Sequence, residues 1–367
     1  MTATGKRYGL VVVGCGGMAR QHLKGIFADR ALSERVQLVA TVDWSPKQAA
    51  LFARRYGAPL SGTDVRPYLE RSDVDIVLIA TYPSTHSELA LACLHAGKHV
   101  LIEKPLAPTM AQARALAQAV GACDRKLLVG YVLRHNASYR RLKQLVEGGC
   151  LGRPIIMRLH GAEHTTSRDL WRRDTVLANE TSPIIDCGCH YVDVMRWFTG
   201  AEAVRVSGIG ARLHPEIKTY DYGMILVQFA DGSVGSYEVA WQCNTRDFST
   251  KEFIGPAGRL RLIYQSERGE HAEEGDLIEL YASDRGYEII NVPGSVKRTA
   301  VQFRALLEMI ETDADPSPAL DDALKSLEIV LAGDEAIRTG RAVELPYPTT
   351  SVALPLLPAA PVLSREG

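Results

Sequence analysis

The stretch "VVVGCGGMARQH", residues 11 to 22, constrains the fold more than any other part of the chain. An apolar, β-branched run breaks directly into Gly14-x-Gly16, and Gly17, Met18 and Ala19 then open a helical period. Each small residue of this G-x-G-x-x-A spacing has a mechanical reason in a strand–turn–helix unit. Gly14 permits the tight turn, Gly16 lets the backbone approach a pyrophosphate, and Ala19 lets the helix pack closely on the strand. Free N–H groups and a partial positive charge at the helix start then suit phosphates. A glycine motif alone is weak; here the strand before it and the helix after it are both present.

The second apolar run, "VQLVATVD", ends in Asp43, 24 residues beyond Ala19. A carboxylate there accepts from ribose hydroxyls and repels a 2′-phosphate, so the expected dinucleotide is NAD, with NADP disfavoured. Lys47 nearby works in the other direction. The same grammar continues to about residue 130. "VDIVLIA", "KHVLIEKP" and "KLLVGY" read as strands, and helices start at Ser45-Pro46, in "STHSELALACLHAG" and in "APTMAQARALAQAV". Near-continuous Val/Ile/Leu strands separated by helices indicate a parallel sheet covered on both faces, an α/β Rossmann domain over residues 1–130. Ligands of such sheets sit at the carboxyl ends of the strands. "ATYPSTH" and "EKP" lie at two of those ends, so Thr81, Pro83, His86, Glu103 and Lys104 join Gly14, Gly16, Gly17, Met18, Ala19 and Asp43 as cofactor candidates. His86 is more a packing or capping residue than a catalyst.

From about 150 the pattern changes to long alternating strands: "PIIMRLHGAEH", "AVRVSGIGARL" and "YGMILVQFADGSVGSYEVAW", the last with a hairpin signal at Asp231-Gly232. "STKEFIGPAGRLRLIY" reads as another hairpin, and "DLIELYA" and "YEIINV" as further strands. With helices at about 183–198, 296–312 and 319–338, residues 131–345 form a second, α+β domain with a large, mostly antiparallel sheet that binds substrate. Residues 346–367 are a proline-rich tail, an extended arm or disordered.

At 367 residues the chain exceeds one typical domain, which agrees with two. Lys plus Arg (42) nearly balance Asp plus Glu (43) without runs of one sign, against a nucleic-acid or membrane-surface partner. No apolar segment is long enough to span a bilayer. The first apolar run stops at glycines, so it reads as a strand and not a signal peptide. Seven cysteines without regular spacing suit reduced thiols in a cytoplasm.

Two places carry chemistry. Lys104 ends an apolar strand, and Pro105 biases it towards an extended conformation. An ammonium there can stabilise a developing alkoxide or polarise a carbonyl. The second place is "SPIIDCGCHYVDVMRWFTG", which holds two cysteines, a histidine and two aspartates. On a helix with Asp186 at zero, His190 falls at roughly 40°, Asp193 at roughly −20° and Trp197 at roughly 20°, one narrow stripe. Cys187 and Cys189 fall about 160° apart, a poor start for one tetrahedral zinc. They read as small core residues, and no metal is expected. His190 is the general base or acid, and Asp186 fixes a substrate hydroxyl or orients the imidazole. Asp193 either supports the imidazole from behind or caps a neighbouring element.

These blocks resemble the Gfo/Idh/MocA oxidoreductases, a family that includes inositol dehydrogenases and glucose–fructose oxidoreductase. The resemblance runs through "VVGCGGMARQH", the "VD" at the second strand end, "PSTHSELALACLHAGKHVLIEKPLA" and "DCGCHYVDVMRWFTG". It implies that Lys104, Asp186 and His190 act on the substrate, that Asp193 matches the family's later aspartate, and that Lys104-Pro105 is a cis bond. It also implies that the antiparallel sheet forms the interface of a homodimer or homotetramer. Two departures stand out: "ANETSP" where members often carry glycines, which reshapes the substrate pocket, and Ser84 in place of the family's Asn. Arg134 and His164 are further substrate-contact candidates; Arg172 and Arg173 read equally as surface ion pairs. The expected activity is an NAD-dependent dehydrogenase acting on a secondary alcohol of a small-molecule cyclic polyol. Its rivals are a redox-neutral, glycosidase-like enzyme that recycles bound NAD, and a non-catalytic NAD-binding regulator. The intact Lys104, Asp186 and His190 set argues against the regulator.

Overall fold

The computed structural model describes residues 6–163, 181–213, 219–241, 248–267, 275–293 and 299–347. The chain divides into two compact units. The first comprises Met1–His135 and Lys297–Leu324, the second Asn136–Val296 and Lys325–Gly367.

The first unit is a six-stranded parallel sheet in the order β3-β2-β1-β4-β5-β6. Its strands are β1 (Tyr8–Val13), β2 (Val36–Val42), β3 (Leu60–Gly62), β4 (Ile76–Ile79), β5 (His99–Ile102) and β6 (Leu127–Val129). Between them run α1 (Gly17–Ala28), α2 (Arg30–Ser33), α3 (Pro46–Tyr56), α4 (Arg66–Leu69), α5 (Pro83–His95) and α6 (Met110–Gly121). The strand order reverses between β1 and β4, which places the ligand edge of a doubly wound sheet. Local chemistry starts the helices where the sequence indicates. Ser45 accepts from Gln48 N ahead of Pro46, Thr109 accepts from Gln112 N, and Gly57 closes α3 at φ 74°.

One segment expected in the second domain returns to the first unit. Helix α10 (Thr299–Glu311) lays Phe303, Leu306 and Leu307 into the core formed by Leu10, Val12, Leu23 and Ile26. Each such fully buried side chain contributes about 1.5–3 kcal/mol. Ion pairs Arg304–Asp29 and Arg35–Glu311 flank the contact.

The second unit is a nine-stranded sheet in the order β14-β13-β12-β11-β7-β10-β9-β8-β15. It uses β7 (Ile156–Glu163), β8 (Ala203–Ala211), β9 (Tyr222–Phe229), β10 (Val234–Trp241) and β11 (Phe248–Gly255). It continues with β12 (Gly258–Ile263), β13 (Asp276–Ala282), β14 (Gly286–Val292) and β15 (Val343–Glu344). All pairs are antiparallel except β7 with β10. The hairpins expected at Asp231-Gly232 and in "STKEFIGPAGRLRLIY" are β9–β10 and β11–β12. Strand alternation sends Ile225, Val227, Tyr237, Val239 and Phe253 to a covered face and leaves Leu226, Val234 and Ile156 exposed on the other. The helices are α7 (Ala137–Glu147), α8 (Pro183–Asp186), α9 (Gly188–Thr199) and most of α11 (Ser317–Thr339). Among the described residues no helix is long and apolar enough to cross a membrane.

Candidate active site

At the ligand edge of the first unit, β1 turns into α1 over Gly14 to Gly17. Gly14 has φ 87°, and a Cβ there would lie 2.5 Å from the Ala80 carbonyl oxygen, so both the turn and the neighbouring strand demand glycine. Gly16 and Gly17 are exposed, and a Cβ on either would meet nothing within 4 Å. Open space lies over those amides, Met18 is half-buried beside them, and Ala19 is buried beneath. Asp43 ends β2 with both carboxylate oxygens engaged: Cys15 N donates to Oδ2 at 2.8 Å and Ser45 N to Oδ1 at 2.9 Å. Gln48 Nε2 donates to the Cys15 carbonyl at 2.9 Å. The glycine turn is therefore held from two sides. A dinucleotide pyrophosphate fits over the exposed glycines at the α1 N-terminus, with Asp43 beside it for ribose hydroxyls.

The ends of β4 and β5 are tied together from below. His86 is fully buried, its Nδ1 is 2.8 Å from the Pro105 carbonyl and its Nε2 is 3.2 Å from the Thr81 carbonyl. Burial holds this imidazole below its ordinary pKa, so the neutral ring donates through Nδ1 at the shorter contact. His86 thus supports the loops carrying Thr81 and Lys104 and makes no open contact surface. Pro83 is buried at the first position of α5. Lys104 is half-buried at the start of a cis Lys104–Pro105 bond. Beneath it, the buried Glu103 takes a 2.7 Å hydrogen bond from His22 Nε2. Burial alone would raise that carboxyl; the His22 hydrogen bond and the nearby positive charges outweigh it and hold Glu103 low. His22 and Gln48 were not among the sequence candidates. Their signal was positional, since each lies in a helix that begins at the ligand edge.

In the second unit the stretch read as one helix over 183–198 is two pieces. Pro183 begins α8, with Ser182 Oγ accepting from Ile185 N at 3.3 Å. Cys187 separates it from α9, but its φ −80° and ψ −39° keep the helical rotation. Asp186 and His190 are both half-buried, one turn apart, whereas Asp193 is fully buried and accepts from Ser326 Oγ at 3.1 Å. Asp193 therefore ties α9 to the middle of α11. The two cysteine sulfurs have different partners. Cys187 Sγ lies 3.7 Å from Asp186 Oδ2 and accepts from the Trp241 indole at 3.3 Å, and Cys189 Sγ lies 3.1 Å from the Asp186 carbonyl. Among the described residues no group of three or more metal-ligating side chains gathers. Arg134 pairs with Asp322 at 2.7 Å within the first unit. His164, Arg172 and Arg173 lie outside the described residues, as does the tail from 348 onward.

An acid and an imidazole one turn apart and half-open can bind and deprotonate a hydroxyl, and an exposed glycine turn can hold a dinucleotide. Comparison with known proteins supports a dinucleotide at the glycine turn. Residues 8–131 match the oxidoreductase family with an NAD-binding Rossmann fold, and residues 139–261 match the GFO/IDH/MocA C-terminal domain. The chain is 30% identical over 259 residues to an inositol 2-dehydrogenase from Ralstonia nicotianae, covering 68% of this chain and 72% of that one. It is 25% identical over 343 residues to scyllo-inositol 2-dehydrogenase (NAD(+)) from Bacillus subtilis, covering 91% and 95%. The structure of GenD2 from gentamicin A biosynthesis, in complex with NAD, superposes with a TM-score of 0.76 at 25% identity, covering 94% of this chain and 98% of that one.

Proposed function

The chain belongs to the GFO/IDH/MocA family of NAD-binding oxidoreductases, and we propose that it interconverts a secondary alcohol and a ketone on a cyclic polyol, an inositol, sugar or sugar derivative. The observation that carries this reading is the pairing of half-open Asp186 and His190 one helical turn apart, with Asp193 withdrawn into the core. NAD, when bound, supplies the hydride acceptor. The imidazole of His190 takes the hydroxyl proton as general base. The ammonium of Lys104 offsets the charge that develops on that oxygen. Asp186 accepts from a neighbouring hydroxyl, which favours substrates with adjacent OH groups over simple alcohols.

For His190→Ala the expected outcome is a fall in kcat of about 10²–10⁴-fold with NAD binding little changed. Undiminished turnover, read as NADH formation, would sink the assignment. A screen of inositols, aldoses and amino-sugars by the same absorbance identifies the polyol; substrate cleavage without net NADH would favour the redox-neutral alternative.

The apolar side chains left on the open sheet face support self-association. Ile156, Leu226 and Val234 are 44%, 52% and 39% exposed, and they line a groove of about 530 Å³ with Arg158, Arg205 and Gln228. A homodimer or homotetramer through this face buries them. Leu226→Glu should shift the light-scattering mass towards the monomer; an unchanged mass would rule this face out. A reducing, cytoplasmic setting is part of the proposal, resting on the seven cysteines without regular spacing in the sequence.

A further inference from the structure

Strand β11 carries a lysine where its alternation calls for an apolar residue. Lys251 and Phe253 point to the covered face of the second sheet, and Phe253 packs on Phe198 of α9 with ring centroids 4.9 Å apart. Glu252 faces the other way, towards Arg158 and Arg259. Lys251 is fully buried, and among the described residues no carboxylate pairs with it. A cation placed there must be compensated by dipoles or abandon its proton.

Among the described residues three groups contact its Nζ. It donates to the His160 carbonyl at 2.5 Å and to Ser249 Oγ at 2.6 Å, and it lies over the ring of Tyr191, 4.5 Å from the centroid. Tyr191 follows His190 directly in α9. Its ring stacks on Tyr237 at 4.8 Å, and its hydroxyl is hydrogen-bonded to Tyr264, which bonds Tyr139 at 2.7 Å. We propose that Lys251 is a positioning residue for the catalytic turn: its ammonium seats Tyr191 against β7 and β11 and thereby fixes the direction from which His190 is presented. The proposal rests on the reading of His190 as the proton acceptor.

The charge state of Lys251 decides the strength of that seat. An ammonium has three N–H donors, one each for the carbonyl, the hydroxyl and the electron-rich ring face. A neutral amine has two, and its lone pair then faces the ring. Burial pushes Lys251 down to about 7, against the pull of Glu267. Among the described residues the titratable groups that face it are Tyr191 of α9, His160 of β7 and Glu267 after β12; Tyr264, Tyr139 of α7 and Asp276 of β13 interact in turn with Tyr191 or Glu267, and Glu238 with His160. His160 is held low by its own burial, then raised by Glu238 and lowered by Lys251; Glu267 is pushed up by burial. The grip on Tyr191 therefore changes through neutral pH.

The test compares Lys251→Met and Lys251→Arg in kcat and in the titration of the His190 imidazole followed by NMR on the protein without substrate. The His190 signal is assigned by its loss in His190→Ala. Lys251→Met should lower kcat about tenfold with KM for NAD unchanged, flatten the pH profile around 7 and shift the His190 midpoint. Lys251→Arg keeps a cation over Tyr191, so it should restore most of kcat while removing the neutral-pH step, because a guanidinium does not titrate there. A Lys251→Met protein with the wild-type pH profile and the wild-type His190 midpoint would overturn the proposal. If Lys251→Met does not fold, a wild-type pH profile in Lys251→Arg is the overturning result. Active His190→Ala would remove the functional reading instead, and the imidazole titration would still report on Lys251.

Discussion

Both oxygens of the Asp43 carboxylate accept a backbone N–H, from Cys15 at 2.8 Å and from Ser45 at 2.9 Å. One side chain therefore fixes the glycine turn, aids the start of α3 and keeps spare lone pairs for a ribose. Asp43→Asn replaces one of those oxygens by an NH₂ group that must face a backbone N–H, donor against donor. Losing a charge-assisted bond of this kind costs about 1.5–3 kcal/mol. The expected outcome is NAD binding weakened roughly tenfold or more, together with a smaller preference over NADP, because the charge that repels a 2′-phosphate has gone. Calorimetric titration with both dinucleotides checks it. An Asp43→Asn variant that bound NAD as tightly as the native protein would show that the turn does not need this clamp.

At the scale of elements, what could be read in advance is what depends on neighbours in sequence. The βα units of the first sheet follow from their own glycine turn, their Ser45 and Thr109 caps and their prolines, all within a few residues of the feature they set. The stripe of Asp186, His190 and Asp193 was likewise legible, because helical rotation survives the break at Cys187. Its depth was not. Periodicity gives a direction around the axis, while Asp193 is buried because α11 brings Ser326 to it from 133 residues away. The same limit hides Lys251, an ordinary letter in "STKEFIG" until a helix covers that face of β11. It also explains α10, whose Phe303, Leu306 and Leu307 announce an apolar face but not which core receives it.

For the whole molecule, net charge is close to zero at neutral pH, so a few buried groups set how stability follows pH. Burial lowers His99 to about 4 and Lys251 to about 7, below the values of unfolded chains. For a base whose folded pKa is depressed, the unfolded chain binds more protons between the two values, and stability rises with pH across that window. His99 acts from about 4 to its ordinary value near 6.5, and Lys251 from about 7 to 10.5. Cys15 and Cys93 have the opposite sign: burial pushes both thiols up from 9 to about 12, so unfolded thiols ionise first and stability falls above 9. Two thiols against one lysine turn the curve over. The melting temperature should therefore climb from acid through neutral pH, peak at about 8–9 and decline beyond. Lys251→Met should remove the climb between 7 and the peak while leaving the part below 7 intact. Thermal unfolding across buffers checks it, and a melting temperature that fell steadily from pH 6.5 upward would show that these buried groups do not govern the curve.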